Sequence, residues 1–560
     1  MAIDLKLKVD ESILQKIHDE KLLKVLKGEE EAPYKVLKKK LMTIQPPKYN
    51  LSLPRYTASL CPECGKIISA KLYEKDGKVM ISKKCPDHGE FEDIYYSDVE
   101  IFLKFSLFAL DGTHIKNPHT VLSSGCPYDC GLCNLHYTLP GIVNLDLTNR
   151  CNMNCPICFA NANAAGYVYE PTYEEVIAML KVLRNLKPTP AEAIQFAGGE
   201  PTIHPNFFEI IRAAKQLGFK QIQVATNGVL MAQDPTFAQR MRDAGLDTVY
   251  LQFDGFKEET YVKARGRPGF LKEKLTAIEN ARNVKPHPLA TVLVPTIVRG
   301  INDDEVGKIV YFALENLDVI RGVNFQPVSF TGRIDYEERI QGRYTIPDLI
   351  HDLVNQTDFL TKEDFYPVPV AATISELISG LKKDPKLAFT THFSCGAATY
   401  VLRTSDGKYV GVSQVVDVWG LYRDALEIAQ SLEGTFAQRF RIALRSLKLL
   451  RYFDDSKISK DLKLKKLIRN ILLKGTKKAL GDLHWRVLFI GTMHFMDKFN
   501  YDVQRVQRCT VHYVTPDGRL IPFCAYNTGP TFRREVESKF AMTFEEYNKR
   551  MKSLANTKLA

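Results

Sequence analysis

Apolar and polar residues alternate along Ile142-Val-Asn-Leu-Asp-Leu-Thr148 with a period of two, the spacing of a β-strand. Five further runs with strand character follow at 192–197, 220–226, 247–253, 290–297 and 321–327. Between them the apolar period lengthens toward that of a helix, predicting helices over 172–186, 206–217, 237–244 and 272–284. Strands alternating with helices predict a parallel sheet, and six such units predict one curled into a partial (β/α)6 barrel over 141–335. Chemistry on such a sheet sits at the C-terminal strand ends.

The flanks read differently. Residues 1–50 form Lys-rich amphipathic helices, with Ile13, Ile17, Leu22, Leu23 and Val25 on the apolar side, ended by Pro46-Pro47. A small metal module at 51–105 carries a strand-turn-strand pattern around Asp76-Gly77, and 106–140 is a cysteine-bearing loop. The segment 336–560 is less regular and is expected to be a separate C-terminal domain. It has strand-turn-strand patterns around Asp406-Gly407 and Asp517-Gly518. A chain of 560 residues fits this division into several domains.

Charge changes the picture in one place. Between Arg439 and Lys478 stand fourteen basic residues against three acidic ones, which accounts for the whole net charge of +11. Leu464, Leu467, Ile468, Ile471 and Leu472 share one helical face opposite Lys463, Lys465, Lys466 and Arg469, and a preceding helix repeats this with Phe440, Leu444 and Leu447. Such a helix is expected to lie on an anionic membrane surface, each basic residue contributing about 1 kcal/mol. No aromatic base-stacking motif accompanies it, so no nucleic-acid partner is expected. There is no apolar run of membrane-spanning length and no signal-peptide core, so the expected location is the cytoplasm, peripheral on the inner face of the membrane.

Twelve cysteines in short-spaced groups argue for metal rather than disulfides. Cys61-Pro-Glu-Cys64-Gly and Cys85-Pro-Asp-His88-Gly are two knuckles that together offer four ligands to one tetrahedral ion. The histidine makes zinc more fitting than all-thiolate iron, with mononuclear iron the alternative. Cys126, Cys130 and Cys133 share with Cys151, Cys155 and Cys158 a spacing of three and then two intervening residues. Three close thiolates can bind three irons of a [4Fe-4S] cube and leave the fourth iron open to a small molecule, whereas structural zinc usually takes four ligands. Only the second loop follows a strand and precedes the alternating units. A third trio, Cys395, Cys509 and Cys524, accompanies the C-terminal hairpins.

Polar residues gather at the predicted strand ends. Gly198-Gly199 allows close backbone approach and Glu200 can bind an ammonium group. Thr226 and Asn227 end the third strand, while Gln252 and Asp254, with Arg265 beyond, end the fourth.

The loop Cys151-x-x-x-Cys155-x-x-Cys158 after a first strand resembles the radical S-adenosylmethionine (SAM) superfamily. The resemblance implies a TIM-like partial barrel, a [4Fe-4S] cluster whose open iron is chelated by SAM, and a reductase or ferredoxin as electron donor. It implies that the Gly198-Gly199-Glu200 motif holds SAM's amino group, with Phe159, Thr226, Asn227, Gln252, Asp254 and Arg265 completing the cofactor site. The N-terminal module resembles rubredoxin or a zinc ribbon. The first and third trios resemble loops that hold one or two auxiliary clusters.

Along most of the chain this layout resembles a branch containing archaeal tetraether-lipid (GDGT or macroarchaeol) synthases and pterin-precursor C-methylases. The first expectation is carbon-carbon coupling of isoprenoid lipid chains. The alternative is methylation of a pterin-like ring from a one-carbon donor; no Asp-x-His-x-x-Gly motif for cobalamin occurs. A non-catalytic iron-sulfur scaffold is the rival of another class.

Overall fold

Hairpin chemistry sets the first sheet. Strands β1 (Arg55–Leu60), β2 (Ile67–Lys75), β3 (Lys78–Cys85) and β4 (Gly89–Tyr96) pair antiparallel in sequence order. Asp76 and Gly77 both take left-handed backbone, with φ of 52° and 76°, which lets a two-residue turn join β2 to β3. The computed structural model describes residues 7–559 except 333, 335–336, 432–443, 461, 475–484 and 530–531.

The six alternating runs become β5 (Ile142–Thr148), β6 (Ala193–Gly198), β7 (Gln221–Thr226), β8 (Thr248–Gln252), β9 (Ala290–Val294) and β10 (Ile320–Pro327). They lie side by side in that order, all parallel. Helices between them include Tyr173–Arg184, Phe207–Gln216, Phe237–Ala244 and Phe270–Arg282. The first opens on a capping box, in which Thr172 Oγ1 accepts from Glu175 N and Thr172 N donates to the Glu175 carboxylate. Val143, Leu145, Ile194, Phe196, Ile222 and Val224 are buried in the main hydrophobic core.

The segment 336–560, expected to stand apart, instead extends this same sheet at both edges. Strand β11 (Gly396–Arg403) pairs antiparallel with β12 (Leu488–Met493), which lies parallel beside β10. Strand β13 (Val511–Val514) lies parallel beside β5 and carries β14 (Leu520–Pro522) on its far side. The physical reason is the edge problem: β5 and β10 would otherwise present unpaired backbone at the ends of a parallel sheet.

The basic helix Leu464–Lys474 turns apolar positions inward. Leu464, Leu467 and Ile468 pack on a cluster with Leu402, Val415, Phe453 and Val487. Leu444, of the preceding predicted helix, is exposed, while Phe440 lies outside the described residues. Among the described residues no helix is long and apolar enough to cross a membrane.

One buried guanidinium stitches the metal module to the large sheet. Arg343 donates to Asp93 on β4 through Nε (3.1 Å) and Nη2 (2.7 Å), and to Asp497, just after β12, through Nη1 and Nη2. Burial works against ionisation of Asp497, but Arg343 and its hydrogen bonds hold the carboxyl below the usual carboxylate range. Arg343→Ala leaves Asp497 buried without its cation, while Asp93 keeps Arg339, and should lower stability by about 3–5 kcal/mol at neutral pH, read as a fall in Tm. Because Asp497 titrates below its unfolded value, its share is present above that value and lost as pH falls through the lower folded one. The gap in Tm between wild type and variant should therefore narrow below about pH 4.

Candidate active site

The loop after β5 is held by backbone contacts that only glycine permits. Gly198, at the end of β6, has φ of 122°, and a Cβ there would stand 2.3 Å from the Thr148 carbonyl oxygen. A Cβ on Gly199 would stand 2.1 Å from the Arg150 carbonyl oxygen. Gly199 N donates to Thr148 O at 2.7 Å and Glu200 N to Arg150 O at 2.9 Å. The paired glycines thus accommodate the neighbouring cysteine loop, where the sequence pointed to a ligand. Asn163 closes the same loop: its Oδ1 accepts from Cys151 N, and its Nδ2 donates to the carbonyls of Cys151 and Met153. Nothing in the local pattern marks Asn163 for this role.

Cys151, Cys155 and Cys158 line one end of a cavity of about 560 Å³, together with Phe159, Glu200 and Asn227. Burial pushes the Cys151 thiol up to about 12 and raises Cys155 as well. Thiolates there need a cationic partner, which fits a three-thiolate iron-sulfur site. The Cys126 loop does not line this cavity.

Glu200 is almost completely buried and fully engaged. Its Oε1 accepts from Thr202 N, Thr202 Oγ1 and Thr226 Oγ1 (2.8 Å), and its Oε2 from Asn227 N (2.8 Å). Burial raises its carboxyl despite these bonds. Arg265 lines the same cavity and is clamped on Asp254 through Nε (2.7 Å) and Nη2 (2.6 Å), and its Nη1 donates to Ile157 O in the cysteine loop. It therefore ties β8's end to that loop. Gln252 Nε2 donates to Asp254, and Gln252 Oε1 accepts from Lys274 Nζ at 3.1 Å. Lys274, which sequence reasoning missed, is buried on the helix Phe270–Arg282 and also donates to Asn227 O; burial lowers its ammonium to about 7. Phe159 stacks on Phe523 with ring centroids 5.0 Å apart, joining the loop to the C-terminal segment.

Polar side chains on three neighbouring strands share the cavity with a larger apolar lining that includes Ile142, Phe389, Phe489 and Phe495. Asn144, Gln195 and Gln223 lie in register on β5, β6 and β7, with Gln223 Nε2 donating to Gln195 Oε1 (2.7 Å) and Gln195 Nε2 to Asn144 Oδ1 (2.8 Å). Asp146, Asn324, Gln326 and Arg533 also line it.

Two metal-ligating groups stand elsewhere. The ligand atoms of Cys61, Cys64, Cys85 and His88 all lie within 4.8 Å of one another, brought together by the turns at β1–β2 and β3–β4. This is the spacing one tetrahedral ion needs, and it includes the histidine. Four of the other six cysteines, Cys126, Cys130, Cys509 and Cys524, stand near Tyr501, whose buried phenol feels them. Arg505 Nε donates to Cys395 Sγ at 3.2 Å. His136 Nε2 meets Cys509 O, Thr138 Oγ1 and His512 Nε2, so that nitrogen is engaged away from the thiols.

Comparison with known proteins agrees with this geometry. Residues 145–313 match the radical SAM superfamily, and 53–97 match the HMPTM N-terminal zinc ribbon domain. A 7,8-dihydro-6-hydroxymethylpterin dimethyltransferase from Methanocaldococcus jannaschii is 46% identical over 502 residues, 89% of this chain and 97% of that one. A GTP 3',8-cyclase from Limosilactobacillus fermentum is 25% identical over 41% of this chain and 64% of its own length. Among solved structures, the FeFe-hydrogenase maturase HydG from Carboxydothermus hydrogenoformans aligns over 39% of this chain and 52% of its own, with 15% identity and a TM-score of 0.31.

The expectation of tetraether-lipid coupling is overturned by the near full-length match to a pterin dimethyltransferase. The physical reason is that the cysteine layout reports cofactors, which many reactions share, and carries no information on the substrate. The chain belongs to the radical SAM superfamily and, within it, to the family of the Methanocaldococcus jannaschii pterin dimethyltransferase.

Proposed function

We propose that this chain is a radical SAM C-methylase that places methyl carbon, drawn from a one-carbon donor, on a reduced pterin. The observation that carries the reading is 46% identity along almost the whole length of a relative named for that reaction. The mixed lining of the cavity, aromatic and aliphatic faces beside a few polar side chains, supports it, since a pterin ring presents hydrogen-bonding edges and flat faces.

In this reading the curled sheet is the partial (β/α)6 barrel of the superfamily. Cys151, Cys155 and Cys158 hold the [4Fe-4S] cluster, and Glu200, Thr226 and Asn227 form the SAM amino end of the site. With SAM bound, this group supplies a 5′-deoxyadenosyl radical that takes hydrogen from an unactivated carbon. The protein's own contribution is position: Gly198 and Gly199 seat the loop, Arg265 and Asp254 lock its far side, and the substrate lies between loop and amides. Cys61, Cys64, Cys85 and His88 hold zinc. The trios Cys126, Cys130, Cys133 and Cys395, Cys509, Cys524 hold auxiliary clusters, supplied with electrons by a reductase or ferredoxin.

Reconstituted protein incubated without oxygen with SAM, a reductant, a one-carbon donor and 7,8-dihydro-6-hydroxymethylpterin should yield a pterin heavier by one or two methylene units, with deoxyadenosine, by mass spectrometry. Deoxyadenosine without a methylated pterin would refute the substrate; no deoxyadenosine at all would favour a non-catalytic scaffold.

Three substitutions separate the sites. Cys155→Ala should abolish deoxyadenosine while bound zinc is retained, and Cys85→Ser should remove the zinc, both read by elemental analysis alongside turnover. Glu200→Ala removes a charged acceptor and should weaken SAM binding to cluster-loaded protein by about 10- to 100-fold in equilibrium dialysis.

A further inference from the structure

Asp146 is 5% exposed, lines the cavity, and has one oxygen that no group among the described residues satisfies. Its Oδ2 accepts from Arg533 Nη1 at 2.9 Å. The same Nη1 donates to Glu537 Oε1 at 3.0 Å, while Arg533 Nε and Nη2 both donate to Asn527 Oδ1. The guanidinium is thus shared among three acceptors. Asp146 Oδ1 is buried and has no hydrogen-bond partner among the described residues. A buried carboxylate oxygen left in this way is costly, and a ligand that donates to it recovers that cost.

The residues around Asp146 define what can reach it. Inward-facing positions on a strand recur every second residue, so Asn144 and Asp146 share one face of β5, and both line the cavity. At the level of Asn144 the neighbouring strands fill the space with Gln195 and Gln223. One step up, Asp146 pairs in register with Ala197, and Ala225 also lines the cavity opposite Tyr250. Two alanines in place of two glutamines leave room beside the carboxylate. Phe159, Tyr513 and Phe523 add flat apolar faces to the same cavity. A space with an aromatic wall, an amide floor and a buried carboxylate acceptor at its side suits a flat heterocycle with adjacent N–H donors on one edge.

We propose that Asp146, held by Arg533, is the specificity residue of the site and accepts the N3–H and 2-amino donors of a 2-amino-4-oxopyrimidine edge. This rests on the pterin reading above and assigns the ring's orientation within it: the pyrimidine edge against β5, between the cysteine loop and the amides. Guanine carries the same edge, so the shared chemistry is the aminopyrimidinone, and the test includes both sources.

The experiment compares dissociation constants on cluster-loaded, zinc-replete protein without oxygen, using 6-hydroxymethylpterin, the lumazine analogue in which an oxo group replaces the 2-amino group, and GTP. Wild type should hold the pterin about 10- to 100-fold more tightly than the lumazine, because the exchange turns a donor into an acceptor facing Asp146. Asp146→Asn, at matched iron and zinc content, should collapse that preference to within about threefold, mainly by weakening the pterin. An Asp146→Asn protein that keeps the wild-type preference overturns the assignment. Should the variant fail to load its metals, the wild-type ratio decides alone, and equal binding of pterin and lumazine overturns the assignment. Binding of neither pteridine by wild type overturns the pterin reading itself. Tighter binding of GTP than of pterin also overturns that reading, and the Asp146 assignment then stands or falls on whether Asp146→Asn loses GTP.

Discussion

The carbonyl oxygens of Thr148 and Arg150 stand so close to the end of β6 that no side chain fits opposite either of them. This seam holds the cysteine loop against the sheet, because two backbone hydrogen bonds cross it where a Cβ would force the strands apart. The same seam sets Glu200, whose amide is one of the two donors, so that its carboxylate meets Thr226 and the Asn227 amide across the next strand end. Gly332 makes a third contact of this kind, with its absent Cβ 2.5 Å or less from the carbonyl oxygens of Cys158 and Phe159. A loop carrying three half-buried thiols would gain little from its own side chains; its conformation is borrowed from the strand ends around it.

The strands added at the sheet's edges complete the cavity and bring Cys395, Cys509 and Cys524 within one or two residues of its lining. Val511 on β13, Phe523 after β14 and Ala397 on β11 all line the cavity. Each stands one or two residues from a cysteine, namely Cys509, Cys524 and Cys395. Residues far apart in the chain meet here because β11 and β13 are attached to opposite edges of one curved sheet. Any redox group held by that trio is separated from the cavity by little more than one layer of side chains.

Local features of the fold were legible and non-local ones were not. The six parallel strands and the helices between them follow from periodicity, and each observed boundary falls close to its expected place because the pattern is repeated on every unit. The ribbon followed from two knuckles and an Asp-Gly turn. That Arg265 and Asp254, eleven positions apart, claim each other shows only in the packed structure. Asn163, Lys274 and Arg533 act through contacts whose sequence separation carries no signal. The substrate was the larger miss, yet part of it was written in the strands. A parallel strand covered on both faces is normally apolar throughout, whereas β5, β6 and β7 carry Asn144, Asp146, Gln195 and Gln223 on alternate positions. Polar residues on the inner face of such a sheet are a signal apart from the cysteine layout, which many chemistries share.

The interior gives up stability in the places where chemistry is expected. Among the described residues, buried polar atoms without partners include Thr492, His494, Asn500, Tyr501, Gln504 and His512, all in the stretch from β12 to β13 that wraps the outer cysteines, and Asp146 in the cavity. Each costs about 1–3 kcal/mol unless a partner meets it, so a chain selected for stability alone would replace them with apolar residues of similar shape. Their concentration here follows the rule that local conflicts with the folding pattern mark the residues a protein keeps for its function. Arg343, Arg508 and Glu305 show the contrast. They are equally buried, but each has its hydrogen bonds met by partners within the fold, and they hold the frame in which the unsatisfied groups can persist.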